Sequence, residues 1–250
     1  MGEQEVRVAW EPLWKFTKEV FVRVGLPPQD AETEAEVLLW ANLRGVDSHG
    51  VQRISSYVRS IAAGNMNPRP NIRVIQQTAA TLFIDADHAL GPVVTVFAME
   101  QVMKKAQEAG LGWAFIRNTT HQGAMGYYAE MAAQKDMAGL AWVCSPPNMA
   151  PYGARAAGVH NSPIAIAVPR KGQRPMILDM ATSVAAGGKV EMAIDKGIPI
   201  PEGWALDKEG HPTTDPRQVG ALLPAGGYKG YGLALMFECL SSLIVGNPLL

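Results

Sequence analysis

The feature that most constrains the fold is a regular alternation of strand patterns and helix patterns between residues 72 and 195. Period-two apolar runs indicate strands, and apolar residues at helical spacing indicate helices. A strand, a helix and another strand make a crossover unit, so the alternation predicts an α/β fold. The first unit has strands over residues 73–75, 81–84 and 112–116 and a helix over 92–109 that Gly110 ends.

These patterns divide the chain into three regions. Two helices are predicted before the first strand, over residues 12–25 and 30–44, with Asp30 as the N-cap of the second. A proline-rich joint at residues 65–70 follows. The regions are residues 1–70, 71–134 and 135–250, with later strands predicted over 138–144, 164–168 and 176–180 and later helices over 124–134, 182–195 and 231–245.

Two features stand out near the C-terminal end. Residues 197–227 are rich in Pro and Gly and are predicted to form a long loop, and loops of this length usually carry function or cover a site. The helix predicted over 231–245 is apolar almost all round, which is typical of a helix in an interior. We therefore expect its covering structure to lie in a partner chain or to have been cut away.

Composition excludes several classes of protein. A chain of 250 residues with 48% hydrophobic content and 18% charged residues is globular, with one large or two modest domains. A net charge of −1 and the absence of a basic stripe argue against nucleic-acid binding. The first residues have no basic segment leading into an apolar run, so neither a signal peptide nor a membrane span is predicted, and a cytoplasmic location is expected. Cys144 and Cys239 form no CxxC motif, and we expect both to be core thiols.

A first candidate site lies in residues 47–53, which contain Ser48, His49 and Arg53. Histidine exchanges a proton near neutral pH, and the planar guanidinium of arginine matches a carboxylate in two parallel hydrogen bonds. If the segment is helical from Gly50 onward, His49 and Arg53 lie one turn apart and can contact the same molecule. The segment therefore suits a 2-oxo acid site. A helix-capping His-Gly turn followed by a solvent-facing Arg explains the same residues.

A second candidate lies in residues 118–128, where a strand is predicted to end and a helix to begin. Backbone N–H groups near Gly123 and Ala124 are free at such a helix start and can bind a phosphate. His121 can act as a second acid or base, or can contact a nicotinamide. The alternative is a capped helix start in which His121 is only a polar plug.

A third candidate is the glycine-rich segment 223–232, in which Lys229 enters an apolar helix. Glycines let the backbone approach a ligand closely, and a lysine there can neutralise a phosphate. The segment is not a Walker loop, and no G-x-G-x-x-G follows a predicted strand. A nicotinamide cofactor would therefore need a fold other than the Rossmann fold. The alternative is a flexible helix entry.

Weaker signals follow two other strands. Ser145 comes after the strand at 138–144, where its hydroxyl can meet a ligand, and Thr182 or Ser183 can cap the helix that follows Asp179. Lys189 lies two turns inside that helix. By themselves these residues indicate packing. No H-E-x-x-H or G-x-S-x-G motif supports a catalytic metal or a serine nucleophile.

Taken in order, these segments resemble the malate/L-lactate dehydrogenase family that lacks a Rossmann domain. The resemblance implies a nicotinamide-dependent oxidoreductase with NAD or NADP as cofactor, a homodimer with a mixed-sheet cofactor domain, and an active site between domains. Residues 1–70 then form an N-terminal helical region with the catalytic histidine, and residues 135–250 form the cofactor domain. The motifs are residues 47–50, 120–128, 177–183, 201–205 with 213–216, and 223–232.

The resemblance also implies roles by motif position. His49 matches the proton donor, Ser48 its hydrogen-bonded helper, and Arg53 the clamp on the substrate carboxylate. In some members the histidine that matches His121 takes the acid/base role, so both histidines remain open. Gly188 and Lys189 match the substrate side. Cofactor contacts of the family fall on His121, Gln122, Gly123, Ala124, Met125, Ser145, Asp179, Met180, Ala181, Tyr228 and Lys229.

The expected reaction is hydride transfer between a nicotinamide cofactor and a small 2-oxo or 2-hydroxy carboxylate. Lys189 favours this reaction over reduction of a cyclic imine carboxylate, because the imine reductases of the family have Asp at that position. Gln122, where the family commonly has Phe, and residues 159–163, where it has Gly-Thr-Asn-Pro, leave the substrate open. A non-catalytic binding or assembly subunit is the alternative from another class. Members of the family continue well past the position of Leu250, so the resemblance also fits a truncated form.

Overall fold

The computed structural model describes residues 7–246, and the predictions that fall on residues 1–6 and 247–250 lie outside them. The described residues contain seven α-helices, several short 3₁₀ and π turns, and nine strands in three small sheets. This mixture confirms the predicted α/β class. No helix within residues 7–246 has both the length and the apolar character needed to cross a membrane.

The chain opens with helices α1 (Trp10–Arg23) and α2 (Pro28–Leu43), as predicted. Asp30 is not the N-cap of α2, because Pro27 occupies that position and Pro28 opens the helix. Proline suits the first turn, where its missing N–H has no partner to lose. Asp30 instead lies in the first turn, where a carboxylate faces the positive end of the helix dipole.

The segment after α2 is not helical from Gly50 onward. Two single-turn 3₁₀ helices, Asp47–His49 and Val51–Arg53, precede the helix α3 (Ile54–Ala62). They are separate because Gly50 has an extended backbone, with φ −93° and ψ −155°. The predicted one-turn spacing of His49 and Arg53 along one α-helix is therefore wrong, and their proximity depends on these two tight turns.

The first sheet contains β1 (Arg73–Gln77), β2 (Thr81–Asp85) and β3 (Trp113–Arg117). Strand β1 pairs antiparallel with β2, and β2 pairs parallel with β3 through the crossover helix α4 (Gly91–Ala109). Leu82, Ile84, Val94 and Ala98 form the core between sheet and helix. The predicted strand-helix-strand unit is confirmed, and the sheet is mixed.

The second sheet is antiparallel and contains β4 (Gly139–Trp142), β5 (Ile164–Arg170) and β6 (Gln173–Met180). Helix α5 (Met125–Ala133) packs on one face of it through Ala141, Ala165 and Ala167. The approach is close, because a Cβ atom at Gly139 would lie 2.2 Å from the carbonyl oxygen of Ala129. The N-terminal end of α5 lies beside the end of β6, because the Gly126 N–H donates to Asp179 Oδ2 at 2.7 Å.

Residues 197–227 are not a structureless loop. They contain a third small sheet with β7 (Ala205–Asp207), β8 (Pro212–Thr213) and β9 (Val219–Leu222), and a 3₁₀ turn, Pro216–Gln218. These strands have two to four residues, which is too short for a period-two pattern to appear in the sequence. The prediction failed because prolines interrupt the pattern on which it depended.

Helix α6 (Gly187–Lys196) begins five residues later than predicted, and Ala186 is its N-cap rather than Thr182 or Ser183. Residues 181–186 before it form bends and one isolated bridge, because the Thr182 N–H donates to the Asn161 carbonyl and the Ala225 N–H donates to the Thr182 carbonyl. These bonds hold Thr182 between two neighbouring segments. It cannot start a helix there.

Helix α7 (Tyr228–Glu238) continues into a π turn, Cys239–Leu243. Ala234 and Phe237 are buried, but Leu233 is 46% exposed and Met236 is 53% exposed. The exposed face agrees with the expectation that the structure covering this helix lies outside the described residues. Cys144 and Cys239 are free and only partly buried, so neither is a fully buried core thiol.

Candidate active site

The turn that carries Ser48 and His49 is held in place by Asn42. The Asn42 Oδ1 atom accepts a hydrogen bond from the Val51 N–H at 2.8 Å, and its Nδ2 group donates to Asp47 Oδ1 at 2.5 Å. A Cβ atom at Gly50 would lie 2.2 Å from Asn42 Oδ1. Only glycine therefore fits at position 50 while Asn42 makes these bonds.

Ser48 contacts both residues of the first candidate site. Its Oγ atom lies 2.9 Å from His49 Nδ1, and its carbonyl oxygen accepts a 2.6 Å hydrogen bond from Arg53 Nε. A second guanidinium nitrogen of Arg53 donates to Glu191 on α6 at 3.2 Å. The Arg53 guanidinium is thus held between two elements, which limits its motion before any ligand binds.

The second histidine motif meets the first one here. The rings of His49 and His121 are stacked, with centroids 5.4 Å apart and planes at 24°. The Tyr57 hydroxyl lies 2.6 Å from His121 Nδ1, and the Gly123 N–H donates to the same nitrogen at 3.3 Å. The structure therefore brings together two segments that are far apart in the sequence.

Burial lowers the pKa of both histidines. The pKa of His49 falls to about 4, mainly through desolvation and also through the nearby Arg53 charge. The pKa of His121 falls to about 3, again mainly through desolvation, with contributions from His49, Arg53 and His160. The His121 residue is exposed at the protein surface, although enough protein lies around its ring to desolvate it. Both imidazoles are therefore neutral at pH 7, and Arg53 supplies the positive charge beside them.

The predicted substrate residues on α6 separate into two environments. Gly188 packs against Ser48, and a Cβ atom at Gly188 would lie 2.3 Å from the Ser48 Cβ. Lys189 is exposed, with Nζ 5.9 Å from the centre of the Trp204 ring. Gly188 therefore belongs to the histidine cluster, whereas Lys189 lies beside Trp204 at the start of the third sheet.

Several predicted cofactor residues lie at the start of α5. These residues, Gln122, Gly123, Ala124 and Met125, are buried. The Gly123 N–H was predicted to be free for a phosphate, but it donates to His121 Nδ1. The Gly126 N–H donates to Asp179 Oδ2 at 2.7 Å. Asp179 therefore ties the end of β6 to the first turn of α5. Burial raises its pKa, and the Gly126 bond opposes that rise.

The remaining predicted cofactor residues surround a corner between residues 179–183 and 223–230. A Cβ atom at Gly230 would lie 2.3 Å from the Thr182 carbonyl oxygen, so the two segments are in close contact. Thr182 Oγ1 is buried and has no hydrogen-bond partner among the described residues. The other residues of the set are Ser145, partly buried after β4; Met180, exposed; Ala181, partly buried; and Tyr228 and Lys229, both exposed in the first turn of α7.

Sequence reasoning missed three residues that shape this site. Tyr57 lies four residues after Arg53, and that helical spacing was the one signal that could have identified it. Asn42 and Glu191 gave no such signal, because each contacts residues 47–53 from another helix. Tertiary packing alone determines these contacts.

The fold and the site define a class: an α/β enzyme in which two apposed histidines and an arginine lie outside any doubly wound sheet among the described residues. The particular family follows from comparison with known sequences. The model of the malate/L-lactate dehydrogenase family matches residues 8–250. The chain belongs to this family.

Individual relatives agree with that assignment. Malate dehydrogenase from Pyrococcus horikoshii is 44% identical over 257 residues, covering 99% of this chain and 71% of the relative. Ureidoglycolate dehydrogenase (NAD(+)) from Escherichia coli K12 is 37% identical over 243 residues, covering 97% and 70%. The crystal structure of delta1-piperideine-2-carboxylate reductase from Pseudomonas syringae is similar with a TM-score of 0.92 and 33% identity, covering 98% and 75%. These similarities agree with the expectation of a malate/L-lactate dehydrogenase-like fold.

Proposed function

We propose that this chain is a nicotinamide-dependent oxidoreductase that interconverts a small 2-oxo carboxylate and its 2-hydroxy acid. The observation that carries the proposal is the placement of His49, His121 and Arg53 in one cluster. A proton-exchanging group and a carboxylate-binding group are the two protein functions that this reaction needs. Relatives named as malate and ureidoglycolate dehydrogenases support the same reaction type.

In oxidation of the hydroxy acid, Arg53 binds the carboxylate and His49 takes the hydroxyl proton. The hydrogen on carbon 2 leaves with the C–H electron pair as hydride. The electron pair of the former O–H bond forms the second carbon–oxygen bond of the carbonyl group. Reduction reverses each step, so His49 returns its proton to the developing alkoxide oxygen. Ser48 orients both groups, because its hydroxyl contacts His49 and its carbonyl oxygen holds Arg53.

A nicotinamide cofactor, NAD or NADP, accepts or supplies the hydride when it is bound. The residues present suit such a group. Thr182 Oγ1 is a buried polar atom without a partner among the described residues, and Lys229 places a cation at the first turn of α7. We assign the cofactor to the region around His121–Met125, Ser145, Asp179–Ala181, Tyr228 and Lys229, of which residues 122–125 are buried. Calorimetric titrations that compare the affinity for NAD with the affinity for NADP distinguish the two cofactors.

A second candidate function is reduction of a cyclic imine carboxylate. The structural similarity to a piperideine-carboxylate reductase favours it, and the exposed Lys189 at the substrate side opposes it. Parallel assays that follow NAD(P)H absorbance with malate, lactate and ureidoglycolate, and with a cyclic imine carboxylate, separate the two. Turnover of a hydroxy acid is expected. Failure to bind either cofactor would instead support the non-catalytic subunit.

We further propose a homodimer in the cytoplasm. The apolar side chains exposed on α7, Leu233 and Met236, support burial against a second copy. The unpaired thiols of Cys144 and Cys239 support a reducing compartment. Light scattering coupled to size exclusion measures the mass directly, and a monomer at all concentrations would contradict the dimer.

A further inference from the structure

We propose that Tyr57 is a positioning residue that fixes His121 in the tautomer with its proton on Nε2. His121 is then a permanent hydrogen-bond donor toward the bound ligand, and proton transfer is left to His49. The role of His121 toward a bound ligand rests on the proposed function. The tautomer itself follows from contacts that His121 makes within the protein when no ligand is bound.

The Nδ1 atom of His121 must act as an acceptor. The Gly123 N–H points to it at 3.3 Å, and a backbone N–H can only donate. In a neutral imidazole one nitrogen carries the proton and the other presents a lone pair. The proton of His121 therefore lies on Nε2.

The Tyr57 hydroxyl must then donate to the same nitrogen. The Tyr57 oxygen lies 2.6 Å from Nδ1. Because this nitrogen carries no hydrogen, the hydroxyl group must be the donor. Tyr57 is 3% exposed. Burial and the nearby Glu34 raise its pKa, although Arg53 opposes the rise, so the hydroxyl keeps its proton at every relevant pH.

The surroundings of Tyr57 favour this donor role. Glu34, from α2, is fully buried, and neither of its carboxyl oxygens has a hydrogen-bond partner among the described residues. Burial raises the pKa of Glu34 well above its usual range, with Asp30 adding to the rise. Because neither carboxyl oxygen of Glu34 bonds to Tyr57, the Tyr57 hydroxyl is free to bond to His121. Arg53 also acts on Tyr57, and the charged or titratable groups that act on His121 are His49, Arg53 and His160.

The two histidines therefore differ in the hydrogen bonds that protonation of Nδ1 would disrupt. A proton on Nδ1 of His121 would face the Gly123 N–H and remove an acceptor from it. The Nδ1 atom of His49 instead faces the Ser48 hydroxyl, which can donate or accept. His49 can thus change its charge without losing its partner. The geometry assigns acid–base work to His49 and a fixed donor role to His121.

The direct test is nitrogen-15 NMR of the protein labelled at histidine, with the His121 signals identified by their loss in His121→Gln. The expected spectrum shows only the Nε2–H tautomer of His121 between about pH 5 and about pH 9. In Tyr57→Phe only the longer 3.3 Å bond from the Gly123 N–H still holds Nδ1 as an acceptor, so a second population with the proton on Nδ1 is expected, together with a fall in kcat of about tenfold. Tyr127→Phe is the matched control, because the Tyr127 hydroxyl bonds to Glu36 and not to His121.

Two results would overturn the proposal. One is a proton on Nδ1 of His121 in the unmodified protein, which requires no variant to fold. The other is an unchanged tautomer and unchanged kcat in a folded Tyr57→Phe. Because the spectrum needs no cofactor or substrate, inactivity toward every substrate would count against the proposed function while leaving the tautomer assignment in place.

Discussion

His49 and His121 stack with ring centroids 5.4 Å apart, although their motifs lie in different regions of the chain. The first turn of α4 fixes the position of His121, since a Cβ atom at Gly91 would lie 2.4 Å from the His121 carbonyl oxygen. Asn42 fixes the turn that carries His49. The pair therefore depends on two close contacts, one at Gly91 and one at Gly50, and each of them needs a glycine.

Replacing His49 should abolish most turnover and spare cofactor binding. We expect His49→Gln to lower kcat by about a hundredfold or more, because a positioned acid–base group typically contributes that much. His211→Gln is the control, since His211 is exposed in the connection between β7 and β8. Steady-state kinetics and cofactor titration measure the two effects. Full activity of the His49 variant would move the acid–base role to His121.

Replacing Arg53 by lysine should mainly raise KM. Lysine keeps the positive charge but lacks the planar pair of donors for a carboxylate, and it cannot reproduce the 2.6 Å bond from Nε to the Ser48 carbonyl. We expect KM for the acid to rise by about ten- to a hundredfold. Arg59→Lys, at an exposed position on α3, serves as the matched control. An unaltered KM in Arg53→Lys contradicts the carboxylate clamp.

The neighbouring glycines at the start of α6 should respond differently to alanine. Gly188→Ala places a methyl group 2.3 Å from the Ser48 Cβ and should cost about 1 to 3 kcal/mol in free energy of unfolding. It should also lower activity, because Ser48 orients His49 and Arg53. Gly187→Ala meets no atom within 4 Å and should be neutral. Thermal melts and kinetics of both variants check this, and equal behaviour of the two would rule out the close contact.

The pH dependence of the oxidation reaction should reflect the lowered pKa of His49. Oxidation needs neutral His49, which is the form present above a pKa of about 4. We therefore expect kcat/KM to stay level as pH falls to about 5 and to decline below about 4. The reduction reaction should show the opposite trend, since it needs the protonated form. An acid limb near the usual histidine value of about 6.5 would contradict the buried environment. Recovery of activity at neutral pH controls for unfolding.

Much of the fold was predictable because the alternation from β1 to β6 has clear periods. The third sheet was not, since β8 has only two residues and its pairing with β7 is set by contacts distant in sequence. The start of α6 was missed for a similar reason, because Thr182 is held by Asn161 and Ala225. Short elements held by neighbours leave little pattern in a sequence.

The candidate site was likewise predictable only in part. The chemistry of His49, His121 and Arg53 could be inferred from residue type, because few side chains can exchange a proton or bind a carboxylate in two bonds. Their orientation could not be inferred, since it depends on Tyr57 and Glu191, which are unremarkable helix residues in sequence. The 3₁₀ turns at residues 47–53 also replaced the predicted helix.

The most direct measurement of the central proposal is transfer of deuterium to a 2-oxo acid from a reduced cofactor with both hydrogens at nicotinamide C4 replaced by deuterium, followed by mass spectrometry of the product. We expect one deuterium on carbon 2 of the hydroxy acid, formed by the unmodified protein and by His211→Gln, and formation slower by about a hundredfold in His49→Gln. Product without the label, or labelled product made by His49→Gln at the unmodified rate, would contradict the account.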